Sequence, residues 1–163
     1  FSLVADYLVT PETDVHNYMD YGLQLGRRFR ALKLWFALRA FGVRGMQERL
    51  RGHIALAQEL ASWIKAEPNW EIAAPHPLSV VCFRYTVTRA SMQSDDADED
   101  AIDALNLAIM DAVNATGEAF LSSTRLRQRV VLRIAIGNER TTLDDVRLVW
   151  NLLQKAAADR APS

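Results

Sequence analysis

The stretch SVVCFRYTVT, residues 79–88, decides how the rest of the chain is read. Val81, Phe83, Tyr85 and Val87 alternate with Val80, Cys82, Arg84 and Thr86, which is the period of two that a pleated strand imposes. β-Branched and aromatic residues fill it, and Arg84 with Thr86 predicts that the second face is partly wet. Upstream, WEIAA at 70–74 supplies a short partner strand. Beyond Gly117, residues 118–123 and 129–136 read as two more, joined by the basic connection TRLRQ. Val130, Leu132, Ile134 and Ile136 share one face of the last strand, and the two are predicted to form a hairpin.

Around these strands the apolar period becomes helical. Phe29, Leu32, Trp35, Phe36 and Phe41 recur at steps of three and four, with Arg30, Lys33 and Arg39 elsewhere on the wheel, until Gly42 breaks the run. Met46, Leu50, Ile54, Ala57, Leu60, Ala61 and Ile64 continue in a second register that Pro68 closes. Ile102, Leu105, Ile109 and Val113 mark a third helix. The acidic run SMQSDDADED at 91–100 precedes it, and its carboxylates favour a helix N-terminus. No histidine or second acidic cluster accompanies that run, so no metal is expected there. Thr142 and Asp145 have capping-box spacing, and Val146, Val149, Trp150 and Leu153 form the stripe of a closing helix. Residues 10–24, TPETDVHNYMDYGLQ, hold no period and read as a long loop. The order therefore predicts an α+β domain of two layers, a mostly antiparallel four-stranded sheet covered on one face by helices and preceded by a loop and a helical arm.

With 163 residues, half of them hydrophobic, the chain can bury one core. Basic residues number 19 and acidic residues 20, which provides no global field for nucleic acid or an anionic membrane. The strands lack the clustered aromatics of an RNA-binding sheet. Every apolar run is interrupted by charge short of the roughly 20 residues a membrane span needs. Cys82 is the only cysteine, which excludes an internal disulfide, and without a signal run the expected location is cytoplasmic. On its strand Cys82 reads as a small buried residue. His16, His53 and His76 are too scattered to suggest a metal. Arg27, Arg28 and Arg30 have phosphate-binding chemistry, but at a helix start they are better read as partners of carboxylates. Phe1–Val9 opens inside an apolar run without an initiator methionine, which leads us to expect more chain upstream.

LQLGRRFRALKLWFALRAFGVRGMQERLRGH, residues 23–53, resembles a stretch of the pyridoxal-phosphate-dependent group II decarboxylases, the family of aromatic amino acid and histidine decarboxylases. The similarity continues through VCFRYTV at 81–87, RQRVVLRIAIGNERTT at 127–142 and the final helix with Trp150. The resemblance implies the C-terminal part of a fold-type I pyridoxal-phosphate enzyme. Residues 1–27 would close the large cofactor domain and carry its mobile catalytic loop, and residues 28–163 would form the C-terminal small domain with its leading helices. It further implies a homodimeric carboxy-lyase whose small-molecule substrate is an amino acid, in particular an aromatic L-amino acid. Pyridoxal 5'-phosphate would be attached in a missing N-terminal large domain. Lys33, Lys65 and Lys155 lack the context of the cofactor-bearing lysine, so the chain alone is expected to be inactive.

Tyr7-Leu8 matches the family's mobile-loop tyrosine, which is thought to return a proton to the substrate carbon after decarboxylation. A phenol on a closing loop suits that task, since closure brings it into reach and excludes water. Tyr18 and Tyr21 fall at aromatic positions of the same loop and are expected to position it. Met19 replaces the basic residue often found there, and Tyr21 stands where many relatives carry tryptophan. The spacing from Tyr7 to Gly26 is slightly shorter than in animal members. Leu25 and Gly26 match the turn that reaches across the dimer to wall the neighbouring pocket. Glycine rather than serine at 26 resembles the aromatic amino acid decarboxylases more than the histidine decarboxylases. The rival reading is a free-standing, non-catalytic α+β dimerisation or binding module.

Overall fold

A computed structural model describes residues 30–86 and 95–160. The chain divides into two compact units, residues 1–49 and 50–163. Helix α1 (Arg30–Ala66) starts in the first and ends in the second, and Gly42 interrupts it with non-helical φ 67° and ψ 171° where the sequence places a break. In the first unit Leu32, Leu34, Trp35, Phe36, Leu38, Phe41 and Val43 are all exposed. The Trp35 and Phe36 rings meet edge to face at 5.1 Å.

The second unit contains the expected four-stranded antiparallel sheet. Its sheet runs β1-β2-β4-β3, built from β1 (Trp70–Ile72), β2 (Val80–Tyr85), β3 (Ser122–Leu126) and β4 (Arg129–Ala135), with every neighbouring pair antiparallel. Helix α2 (Asp95–Ala115) connects β2 to β3, the β3–β4 hairpin then places β4 at the centre, and α3 (Leu143–Ala158) follows. Ala57, Leu60, Ala61 and Ile64 of α1, Ile109 and Val113 of α2, and Val146, Trp150 and Leu153 of α3 form one core with Val81, Phe83, Tyr85 and Leu132 of the sheet. Trp70 is a hub of this core. Its ring lies 5.1 Å from Tyr85, 5.2 Å from Trp150 and 5.8 Å from Phe83. Tilted and edge-to-face pairs of this kind contribute about 0.5–1.5 kcal/mol each beyond their buried area.

The ends of the helices follow their local chemistry. Helix α2 begins inside the acidic run, and Gly117 just past its end has the left-handed φ of 73° that suits a glycine. The capping box of α3 forms as expected. Thr142 Oγ1 accepts the Asp145 N–H at 3.3 Å, and the Thr142 N–H donates to Asp145 Oδ2 at 2.8 Å. The bond from the Thr142 N–H first, and then one from the Thr142 hydroxyl to Asp145 Oδ2 at 2.8 Å, hold the Asp145 carboxyl below the usual aspartate range.

Four details depart from the sequence reading. The apolar stripe of the second helical run is buried only from Ala57 onward, and Leu50 is 55% exposed. The hairpin is displaced, since Thr124–Leu126 belong to β3 and the turn is only Arg127 and Gln128, with φ of 52° and 68°. Two consecutive positive φ values fit the mirror-image turn that matches strand twist, but Arg-Gln lacks its usual Asn-Gly signature. Cys82 is half-buried rather than buried; burial raises its thiol pKa, and the charge of Arg133 opposes the rise. Arg84, expected on a wet face, is only 2% exposed.

Candidate functional site

Helix α2 brings polar side chains into the core at the positions where the sheet runs out of partners. The β2–β4 ladder ends at Phe83 opposite Leu132. Continued in the same register it would next pair Arg84 with Val131 and Tyr85 with Val130. Side chains of α2 take that place. Asn106, fully buried, accepts the Tyr85 N–H on Oδ1 at 2.8 Å, and its Nδ2 donates to Tyr85 O at 2.9 Å and to Ile102 O at 2.8 Å. Asp103 Oδ1 accepts the Val130 N–H at 2.8 Å. Two turns further on, Asn114 grips Leu121 in the same two-sided way, with 2.7 Å to its N–H and 3.0 Å to its carbonyl. A buried backbone group needs a partner, and these three residues supply partners to β2, to β4 and to Leu121 just ahead of β3.

A charge cluster surrounds this junction. The Arg84 guanidinium reaches Glu99 at 3.1 Å and Asp103 at 3.3 Å; Arg125 reaches Asp103 at 3.4 Å, and Arg129 reaches Glu99 at 3.2 Å. Arg84 Nε is buried and has no hydrogen-bond partner among the described residues. Ion pairing explains why an arginine tolerates burial here, because an unpaired buried charge is far more costly. The cluster brings no nucleophile, and Asp103 is fully engaged, so its chemistry is to hold α2 against the sheet. Asn106 shares the apolar stripe of Ile102, Ile109 and Val113, and a polar residue on such a stripe was the available signal for this junction.

Elsewhere an open depression of about 630 Å³ is lined by Gln58, Lys65, Ile72, Ala74, His76 and Pro77 among others. Gln58 Nε2 donates to the His76 carbonyl at 2.8 Å and fixes one wall. No carboxylate lines it. Lys33, Lys65 and Lys155 are all exposed. The described residues therefore do not fit a pyridoxal phosphate site, which needs a sheltered lysine and an acidic partner for the ring nitrogen. Tyr7, Tyr18, Tyr21, Leu25 and Gly26 lie outside the described residues, as does the acidic loop before Asp95. Among the described residues no group of three or more histidine, cysteine or acidic side chains is placed to hold a metal ion. No described helix is long and apolar enough to cross a membrane.

The described residues thus form a four-stranded antiparallel sheet with three helices and a polar junction on α2. The family model described as the pyridoxal-dependent decarboxylase conserved domain matches residues 1–86. Tyrosine decarboxylase 4 of Petroselinum crispum is 37% identical over 143 residues, covering 88% of this chain and 28% of that protein. Phenylacetaldehyde synthase of Arabidopsis thaliana is 37% identical over 144 residues, covering 88% and 28%. The crystal structure of Oryza sativa TDC with PLP and tryptamine superposes with a TM-score of 0.71 at 32% identity, over 91% of this chain and 31% of that one. The chain belongs to the pyridoxal-dependent decarboxylase family, and it spans under a third of the length of these relatives.

Proposed function

We propose that this chain is the C-terminal part of a pyridoxal-phosphate-dependent carboxy-lyase acting on aromatic L-amino acids as a cytoplasmic homodimer. The observation that carries this reading is the match of fold and sequence together to an enzyme holding PLP and tryptamine, over 91% of the chain. In this reading residues 1–27 close the large domain and residues 28–163 are the small domain with its leading helices. When bound, the cofactor supplies the sink for the electrons that carbon dioxide leaves behind. Its attachment lies outside this chain.

The chain's own contribution is a proton and a wall. The phenol of Tyr7 donates its proton to the substrate carbon that has lost carbon dioxide, with Tyr18 and Tyr21 setting the loop that carries it. Leu25 and Gly26 border the neighbouring subunit's pocket, and the absence of a side chain at 26 leaves room for an aromatic ring. The test is a Tyr7→Phe substitution in the natural full-length protein, assayed with tyrosine, tryptophan and dihydroxyphenylalanine. Loss of amine formation with cofactor retained supports this role. Unimpaired turnover to amine refutes it, and a wild-type protein without cofactor points to the non-catalytic module.

A further inference from the structure

We infer that Gly42 and the stack of Arg49 on Phe41 together form a conformational joint within α1, which holds the apolar arm Arg30–Phe41 out of line with residues 43–49 of the same unit. Gly42 has φ 67° and ψ 171°, a region open to glycine and essentially closed to residues with a Cβ. A Cβ at 42 would meet nothing within 4 Å, so packing does not demand glycine there; the backbone does.

Two distances within the first unit show that the chain is folded more tightly here than a helix allows. A Cβ built on Gly45 stands 3.4 Å from the Cβ of Phe41, whereas residues four apart on a regular helix keep these atoms about 5–6 Å apart. The Arg49 guanidinium lies 3.9 Å from the centroid of the Phe41 ring. On an unbroken helix those residues would be about 12 Å apart along the axis, with the Phe41 side chain leaning further toward the N-terminus. The stack belongs to the bent form and favours it. No proline stands between Arg30 and Ala66, so nothing else in this sequence enforces a break. Gly42 therefore permits the bend, and the cation–π contact latches it. The consequence is directional, because the joint sets how Trp35 and Phe36 are presented to whatever covers them.

The joint is tested in the full chain with Cys82→Ser, by electron–electron distance measurement between spin labels at Lys33→Cys and Gln47→Cys, both exposed positions. A straight helix would separate those backbone sites by about 21 Å. The expected result is a label distance that lengthens on Gly42→Ala, with a gain of helical signal in circular dichroism. Arg49→Gln, which keeps Gly42 but removes the latch, should give two distances, one bent and one extended. Identical distributions in the glycine and alanine chains would overturn the joint. Should the alanine chain fail to fold, an Arg49→Gln distribution indistinguishable from that of the parent would overturn it as well.

Discussion

Asn106, buried in the middle of α2, holds both the N–H and the carbonyl of Tyr85 and so ends β2 with a side chain where β4 would otherwise continue the ladder. Removing it orphans two buried backbone groups, each costing about 1–3 kcal/mol. Asn106→Ala is expected to destabilise the second unit by about 2–4 kcal/mol in urea titration. Asn114→Ala, at a half-buried site, should cost less. Unchanged midpoints for Asn106→Ala would show that the clasp is dispensable.

Arg84 and Asp103 form the buried ion pair of the same junction, at 3.3 Å. Arg84→Met leaves Asp103 and Glu99 short of a partner and is expected to cost about 3–5 kcal/mol. Adding Asp103→Asn should cost less than the separate effects summed, with a coupling of about 0.5–3 kcal/mol. Strict additivity in a double-mutant cycle would mean that the two charges do not sense each other.

Asp145 gives the α3 cap an acid limit. Its carboxyl is held below the usual aspartate value by the Thr142 backbone N–H and hydroxyl. A depressed folded-state pKa contributes stability above the unfolded pKa and loses it as pH falls through the folded one. The stability gap between wild type and Asp145→Asn should therefore be full near neutrality and shrink only in acid, below the ordinary aspartate range. A gap that is constant down to that range and beyond would contradict the assignment.

The exposed side chains of the arm, Trp35 and Phe36 foremost, form more apolar surface than an isolated helix tolerates in water. The 163-residue chain on its own is expected to self-associate with rising concentration in light scattering, and Trp35→Ser with Phe36→Ser to reduce that association. A strictly monomeric parent chain would count against this.

Much of the fold was legible because its signals are periodic. The alternation at 79–88, the 57-60-61-64 stripe and the Thr142–Asp145 box each map onto an observed element. The misreadings have separate causes. Periodicity assigns a face but does not say what covers it, so Arg84 reads as wet although Glu99 and Asp103 lie against it. The hairpin register was hidden because Arg127 and Gln128 adopt backbone angles that their side chains do not advertise. Asn106 and Asp103 lie on a helix read only for its apolar residues. The roles proposed for Tyr7, Leu25 and Gly26 rest on the family resemblance alone, because these residues carry no signal of their own.

The most direct test of the account is to purify the natural full-length product of the gene that encodes this chain, treat it with borohydride, and map the cofactor adduct by mass spectrometry alongside an assay of carbon dioxide release from aromatic amino acids. The account predicts decarboxylation and one pyridoxyl-lysine outside residues 1–163. A product that retains no pyridoxal phosphate, or one modified at Lys33, Lys65 or Lys155, would contradict it.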